Sequence, residues 1–422
     1  VADAQRNLLT RLRDLYGRES VPSYSVGLPG MPDGPPTPSR LPRAVRWWLH
    51  RRRLRRAIRA YAPTIGMAYA GRSGGPWQLR MWEPYLLASG EPCVIINYHP
   101  KYVDLILQGG EPLTSPFIQL GTRGALDLPG VLPPSLRTLY YVQNAQRNSR
   151  FLRHRRITHV WLNHGDSDKP ANFNPRHALY DILVVCGQAG IDRYAKHGID
   201  IPREKFEVLG RPQASGVEPA RAAIAQIEQP TVLYAPTWQG LDDDVNFSSL
   251  ERGPEIVRAL LRRGVTVIFR PHPLSYRWRI RRAVVKEIHY ILRDDKRETG
   301  RQHVWAKQAD KIWSVADCCN HADALISDVS SVVSDFLQSE KPYAMTSMKT
   351  GIEQFRAENS VAETAYVLLG DLSNLDEVLD DLLEGDPLAE ARSAKKRYVL
   401  GDFTGRESAD AFAAFVRRLA QG

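Results

Sequence analysis

Four short runs in this 422-residue sequence carry side chains suited to phosphate chemistry. The first is His164-Gly165-Asp166-Ser167-Asp168-Lys169. A histidine with an ordinary pKa near 6.5 can accept a proton at neutral pH, and Asp166 or Asp168 can hold its ring. A surface-loop histidine with a local hydrogen bond has the same appearance, so this run alone decides nothing. The second is Arg270-Pro271-His272-Pro273. A planar guanidinium and an imidazole donor both suit a phosphate, and the prolines stiffen the backbone that presents them. The third is Asp328-Val329-Ser330-Ser331, a polar turn running into a helix-like stretch, whose hydroxyls and first amides suit an anion. Plain capping of an internal helix is the alternative. The fourth, Pro236-Thr237-Trp238-Gln239-Gly240, leads into Asp242-Asp243-Asp244. That acidic triplet sits in a polar stretch and reads as a solvated loop, so no metal and no cofactor are expected. Neither a Walker loop nor a dinucleotide fingerprint is present.

Each run follows a strand-like segment. Strands are expected at 93–98, 158–163, 181–186, 205–210, 231–236, 265–270 and 322–327. Several are continuous apolar runs, the pattern of parallel strands covered on both faces. Helical stretches are expected at 187–197, 216–228, 253–263, 330–338 and 375–384. The alternation predicts an α/β protein with two Rossmann-like parallel-sheet halves and a cleft between them. Ligands of such sheets lie beyond the carboxyl ends of the strands, where the four runs fall. The boundary is placed after Gly210-Arg211-Pro212. The expected division is a basic tail and helix over 1–62, an acceptor domain over 63–212, a donor domain over 213–400, and a C-terminal helix over 401–422 packing back on the first domain.

With 43% hydrophobic and 25% charged residues, the composition excludes collagen and wholesale disorder. No apolar run reaches the roughly 18–20 residues of a membrane span. The polar start is not expected to be a secretory signal. Cys93, Cys186, Cys318 and Cys319 form no metal spacing and fit a reduced interior.

The charge is uneven. Residues 1–62 hold 13 Arg, no Lys and four acids, +9 of the chain's +10. Residues 20–42 are rich in Pro, Gly and Ser and read as a linker or extended loop. Residues 43–61 follow at helical spacing. Val45, Trp48, Leu49, Leu54, Ala57, Ile58 and Tyr61 form an apolar stripe, and eight arginines cover the rest. Interfacial helices have this pattern, so Arg46, Trp47, Trp48, Arg51, Arg52 and Arg55 are the expected contacts to an anionic membrane surface. A solvated helix packed on its own protein is the alternative. Nucleic acid is disfavoured, because the body of the chain is nearly neutral.

From about residue 155 to 415 the sequence resembles the CDP-glycerol glycerophosphotransferase family, the teichoic acid primases and polymerases. The resemblance rests on His164-Gly165 with Lys169, the Asp181-to-Cys186 strand, Gly210-Arg211-Pro212, Tyr234-Ala235-Pro236-Thr237-Trp238, Arg270 to His272, and Asp328-Val329-Ser330-Ser331. It implies the two-domain GT-B architecture and work at the cytoplasmic membrane face as a peripheral protein. It implies a CDP-polyol donor, glycerol foremost, a lipid-linked acceptor, and His164 as the base. By the same resemblance His272 is catalytic, and Lys169, Arg211, Pro236, Thr237, Arg270, Asp328, Ser330 and Ser331 bind substrate. There are departures from the family pattern. Gln213-Ala214-Ser215 stands where the family usually has Arg-Asn-Asp, and Asp166-Ser167-Asp168 where it often has Thr-Pro-Leu. Two other readings remain at this stage: sugar transfer from a nucleotide sugar, and a non-catalytic membrane scaffold of the same fold. Self-association into a homo-oligomer is open.

Overall fold

The computed structural model describes residues 21–37, 39–70, 76–98, 113–163, 170–240 and 246–422. Among these residues thirteen strands form two sheets. In the N-terminal half lie β1 (Tyr24–Val26), β2 (Ile65–Tyr69), β3 (Cys93–Asn97), β4 (Phe117–Gln119), β5 (Thr138–Tyr141), β6 (Thr158–Trp161), β7 (Ile182–Val185) and β8 (Phe206–Val208). Their order across the sheet is β1-β4-β3-β2-β5-β6-β7-β8. Among these strands only β1, at the edge, runs antiparallel, pairing with β4. In the C-terminal half lie β9 (Thr231–Ala235), β10 (Thr266–Phe269), β11 (Ala324–Ser327), β12 (Tyr343–Ser347) and β13 (Tyr366–Leu369), ordered β10-β9-β11-β12-β13 and all parallel. The order reverses between β2 and β5 in the first sheet and between β9 and β11 in the second. Those reversals are the switch points at which doubly wound sheets hold ligands.

Burial explains the strand composition. Every residue of β2, β3, β5 and β12 is buried. Helices cover both faces, so no polar alternation survives. All seven expected strands form, with ends trimmed by one or two residues. The expected helices appear as α3 (Gln188–Lys196), α4 (Gly253–Arg262), α6 (Ser331–Leu337) and α7 (Leu375–Asp380), the last continuing as a wider turn through Gly385.

Two expectations are corrected. Residues 216–228 form no α-helix, only a short 3-10 turn at Ile224–Gln226. Pro219 removes one amide donor, and the neighbouring amides are taken elsewhere: Glu218 N donates to Asn320 and Ala220 N to Ser339 O. The stretch is an extended crossing between the halves. The Pro/Gly-rich segment 20–42 is not a free linker either, because it contains β1, with Tyr24 and Ser25 fully buried.

Two helices bring the chain ends onto the body. Helix α1 (Arg43–Tyr61) buries Leu54, Ala57 and Ile58 under the N-terminal sheet. Helix α8 (Glu407–Gln421) crosses back from the C-terminal half. Its Phe412, Phe415 and Val416 join the core beneath α2 (Pro76–Leu87), where the Phe412 ring lies 5.0 Å from that of Trp82. Ser408 Oγ ties the same helix to Leu209 O. Gly210, at φ +70°, has to be glycine, because a Cβ there would meet Phe403 and Ser408 at 2.7 Å.

Candidate active site

The C-terminal switch point is built around a buried carboxylate. Asp328 directly follows β11 and is fully buried. It accepts from Thr237 N at 2.6 Å, from Ser249 N at 3.2 Å and from the Thr346 hydroxyl. One side chain therefore fastens the ends of β9, β11 and β12 and the loop that returns at Ser249. Burial pushes its pKa up to about 6, while donations from Ser249, Thr346 and Thr237 pull the other way. The expected role of Asp328 as a substrate contact is corrected: it positions Pro236 and Thr237. Thr237 is itself buried, its amide donating to Asp328 and its carbonyl accepting from the Ser248 hydroxyl.

His272 stands at the end of β10, where its backbone amide donates to Pro236 O. Its Nδ1 accepts from Leu274 N at 3.2 Å, which places the proton of the neutral ring on Nε2. The ring stacks on Trp238, and Trp238 stacks on Trp278, giving a half-buried aromatic row along the mouth of β9 and β10. Held this way, His272 is a hydrogen-bond donor.

Arg270 turns away from that mouth. Its guanidinium donates to Ala309 O and to Trp313 O at 2.9 Å, with Cys318 Sγ at 3.7 Å. The wide turn Gln308–Ile312 leaves carbonyls without helical partners, and the arginine satisfies them. The expected phosphate clamp at Arg270 is thus a structural anchor. Arg211 is corrected in the same sense, because its Nε is engaged by Asp335 of α6 in a buried ion pair joining the two halves. Ser330 caps α6 by accepting from Val332 N. Ser330 and Ser331 stay half-buried beside Val329, at the edge of the cleft.

The opposing wall of the cleft lies at the carboxyl ends of β6, β7 and β8. It is lined by Trp82, Trp161, Asn163, Cys186, Arg211 and Gln213, among others. Asn163, in the left-handed region at φ +63°, is held there by Trp82 Nε1 donating to its carbonyl at 2.7 Å and by its own amide donating to Asn172. This fixes where the chain leaves β6. His164 and Lys169 follow at once and lie outside the described residues, as do Asp242, Asp243 and Asp244. Among the described residues no group of three or more His, Cys, Asp or Glu could hold a metal ion. One residue that sequence reasoning missed is Arg193 of α3. It lines both this wall and the small pocket formed by Val329, Ser330 and Ser334, so it bridges the two halves. Its helix is legible in the sequence, but no local spacing marks this arginine over its neighbours.

The basic head divides in the structure. Trp48 is 57% exposed, with Val45, Leu49 and Leu41 close behind. The guanidinium of Arg52 lies over Trp48, and that of Arg43 over the half-buried Trp47. Arg46, Arg52, Arg53 and Arg56 line a groove beneath residues 32–41. Arg51 instead pairs with Asp127 at 3.4 Å, and Arg55 packs over Gly130, so these two expected surface contacts face the protein. No helix among the described residues is long and apolar enough to cross a membrane.

The segment from the crossing at 216–228 to the short turn at Ser360–Thr364 has known counterparts. Residues 219–361 match the family CDP-glycerol:poly(glycerophosphate) glycerophosphotransferase. The matched segment carries Pro236–Thr237, Arg270–His272 and Asp328–Ser331, so the resemblance drawn from those motifs is met by a family-model match. Among solved structures, the chain is similar to a variant of the wall teichoic acid polymerase TagF soaked with CDPG, at 13% identity and TM-score 0.50, covering 90% of this chain and 94% of that one. It is also similar to the S. aureus MnaA–UDP complex, at 13% identity and TM-score 0.51, covering 82% and 93%. At this identity the likeness is one of fold: the chain has the GT-B architecture of two Rossmann-like halves. The comparison with curated proteins returns no match.

Proposed function

We propose that the protein is a transferase that moves a polyol phosphate, glycerol phosphate foremost, from a CDP-polyol to a hydroxyl of a membrane-lipid-linked acceptor, in the synthesis of teichoic acid or a related wall polymer. One observation carries the reading. The segment that matches the glycerophosphotransferase family supplies the ends of β9, β10 and β11, and the fold brings these together at one switch point around Asp328. The donor's phosphates lie there in this reading, with His272 Nε2 donating to them and Ser330, Ser331 and Arg193 beside them. Phosphoryl transfer needs positioning and stabilisation of spreading charge more than covalent help, and oriented donors supply both. His164, just after the pinned Asn163, takes the acceptor's proton, and Lys169 stays close to the donor. No metal is assigned a part, so turnover is expected to persist in chelator. The head rests on the cytoplasmic membrane face through Trp48, Leu49 and the arginines of α1.

The test is product mass spectrometry with CDP-glycerol, CDP-ribitol, and UDP- and GDP-sugars on a lipid-linked disaccharide. CMP release with a mass gain of one polyol phosphate supports the reading. Turnover confined to nucleotide sugars overturns it.

A further inference from the structure

Helix α1 carries more positive charge than the protein around it meets. It holds eight arginines and no acid, and its first turn places Arg43 and Arg46 at the positive end of the helix dipole. Arg46, Leu49, Arg53 and Arg56 recur at three- and four-residue spacing, so they share one face, with Arg52 beside them. Among the described residues the ion pair of this helix is Arg51 with Asp127, and no carboxylate pairs with Arg46, Arg52, Arg53 or Arg56. These four line a groove of about 760 Å³, the size of a ligand site. Its other wall is drawn from residues 32–41, and that wall is held in place. Gly34 N donates to Ser25 O at 2.9 Å, Gly27 N donates to Asp33 Oδ1 at 2.8 Å, and Pro35 and Pro36 stiffen the chain. His50 Nε2 donates to Ser23 O at 3.0 Å and ties the helix to the same strap. Burial holds the His50 pKa below its ordinary value, so the ring is a neutral strut that adds no charge.

Two features of the lining select an occupant. Four guanidiniums stand against one carboxylate, Asp33, among the described lining residues, so the groove favours an anion of more than one charge. Leu41 and Leu49 line it as well and are exposed, with Val45 and Trp48 exposed beside them on α1. A soluble polyanion, RNA included, has no use for that apolar rim. An amphiphile places phosphate on the arginines and hydrocarbon against the rim. We infer that this groove is a saturable seat for the headgroup of an anionic phospholipid bearing two phosphates, with its acyl chains beside Leu41, Leu49 and Trp48. The inference rests on the proposed membrane contact of the head and gives that contact a preferred lipid. Diffuse attraction of arginines to any anionic surface would show no such preference.

The experiment measures binding of the full-length protein to phosphatidylcholine vesicles doped with cardiolipin, two phosphates on one headgroup, or with phosphatidylglycerol, one phosphate, matched in total charge. The native protein is expected to bind the cardiolipin vesicles at least about tenfold more tightly, because the second phosphate binds intramolecularly once the first is seated. Arg53→Gln with Arg56→Gln is expected to abolish that preference. Both side chains are exposed, so the melting temperature should not fall. Arg43→Gln with Arg59→Gln removes the same charge from the same helix outside the groove. That control pair should weaken binding to both vesicles alike and keep the preference. Equal binding of the two lipids by the native protein overturns the seat and leaves the membrane contact of the head standing. Loss of the preference in both pairs also overturns it, since net charge alone then decides. A single-stranded RNA that binds as tightly as the cardiolipin vesicles, and is lost in the groove pair, overturns the lipid assignment. Native protein that floats on neither anionic vesicle removes the membrane contact and the seat together, whereas CMP affinity on the same samples tests the transferase reading separately.

Discussion

The ring of His272 takes the Leu274 amide at Nδ1, so the proton of the neutral ring sits on Nε2. A donor to a charged oxygen is worth roughly 1.5–3 kcal/mol. His272→Ala should therefore weaken CMP binding about ten- to a hundredfold, read by titration calorimetry; unchanged affinity removes His272 from the donor site. His164→Ala should behave differently, lowering turnover about 10²–10⁴-fold with CMP binding intact, as loss of a positioned base does. Asp328 gives a third test, through pH. Its folded pKa, about 6, lies above its ordinary value, so the folded state holds its proton more tightly than the unfolded chain does. The contribution of Asp328 to stability is then fully present below its ordinary pKa and is lost as pH rises through about 6. In Asp328→Asn that part of the pH dependence of the melting temperature should vanish, and an identical profile would mean that another group titrates. The sequence shows which residues bear charge, and much less of what they touch. Arg270 and Asp328 stand at their strand ends as the motif implies, yet both are consumed by protein partners more than 15 residues away in sequence. Partners at such separations cannot be read from local spacing.

At the scale of elements, legibility follows length and composition. Strands such as Cys93–Asn97 and Thr266–Phe269 announce themselves through β-branched apolar runs. Of the missed strands, β1 and β4 are three residues long and β2 and β12 contain Gly, Ala, Met or Ser, while β5 and β13 are four-residue runs of Thr, Tyr, Val and Leu too short to stand out by period. In β1, β2, β4 and β12 pairing within the sheet makes the strand. The crossing at 216–228 fails in the other direction: its alanines favour a helix, but tertiary partners claim its amides. Just upstream, the halves are clasped by Arg211 and Asp335, whose side chains are only 6% and 11% exposed. Removing one member of such a pair strands a desolvated charge, at a cost of about 3–5 kcal/mol. Arg211→Met is therefore expected to lower the denaturant midpoint strongly. Adding Asp335→Leu should recover most of the loss, because the two apolar side chains replace the pair together. If the double variant is no more stable than Arg211→Met, the pair does not act as a unit.

For the whole molecule, the proposed transfer to a lipid-borne acceptor requires a membrane contact, and α1 is the element proposed to make it. Its stripe is continuous in sequence but split in space. Leu54, Ala57 and Ile58 belong to the core, whereas Val45, Trp48 and Leu49 face outward beside Arg52. Deleting the head would thus remove core residues and β1 along with any membrane contact, so point substitutions are the cleaner probe. Trp48→Ser with Leu49→Ser should leave the melting temperature nearly unchanged, since both side chains are already exposed. Leu54→Ser should lower it by the several degrees that a core truncation produces. Flotation on vesicles containing anionic lipid should separate two contributions. Arginines near such a surface add about 1 kcal/mol each and are screened within about 8–10 Å, so binding should fall steeply with salt. The apolar part resists salt, so the Trp48/Leu49 variant should bind more weakly at every salt concentration. It should lose transfer to an embedded acceptor while keeping CMP affinity. Equal flotation of the native and doubly substituted proteins would show that these exposed side chains do not enter the membrane, and would shift attention to the exposed cluster of Arg277, Arg279, Ile280 and Arg282 at the start of α5 (Arg279–Thr299).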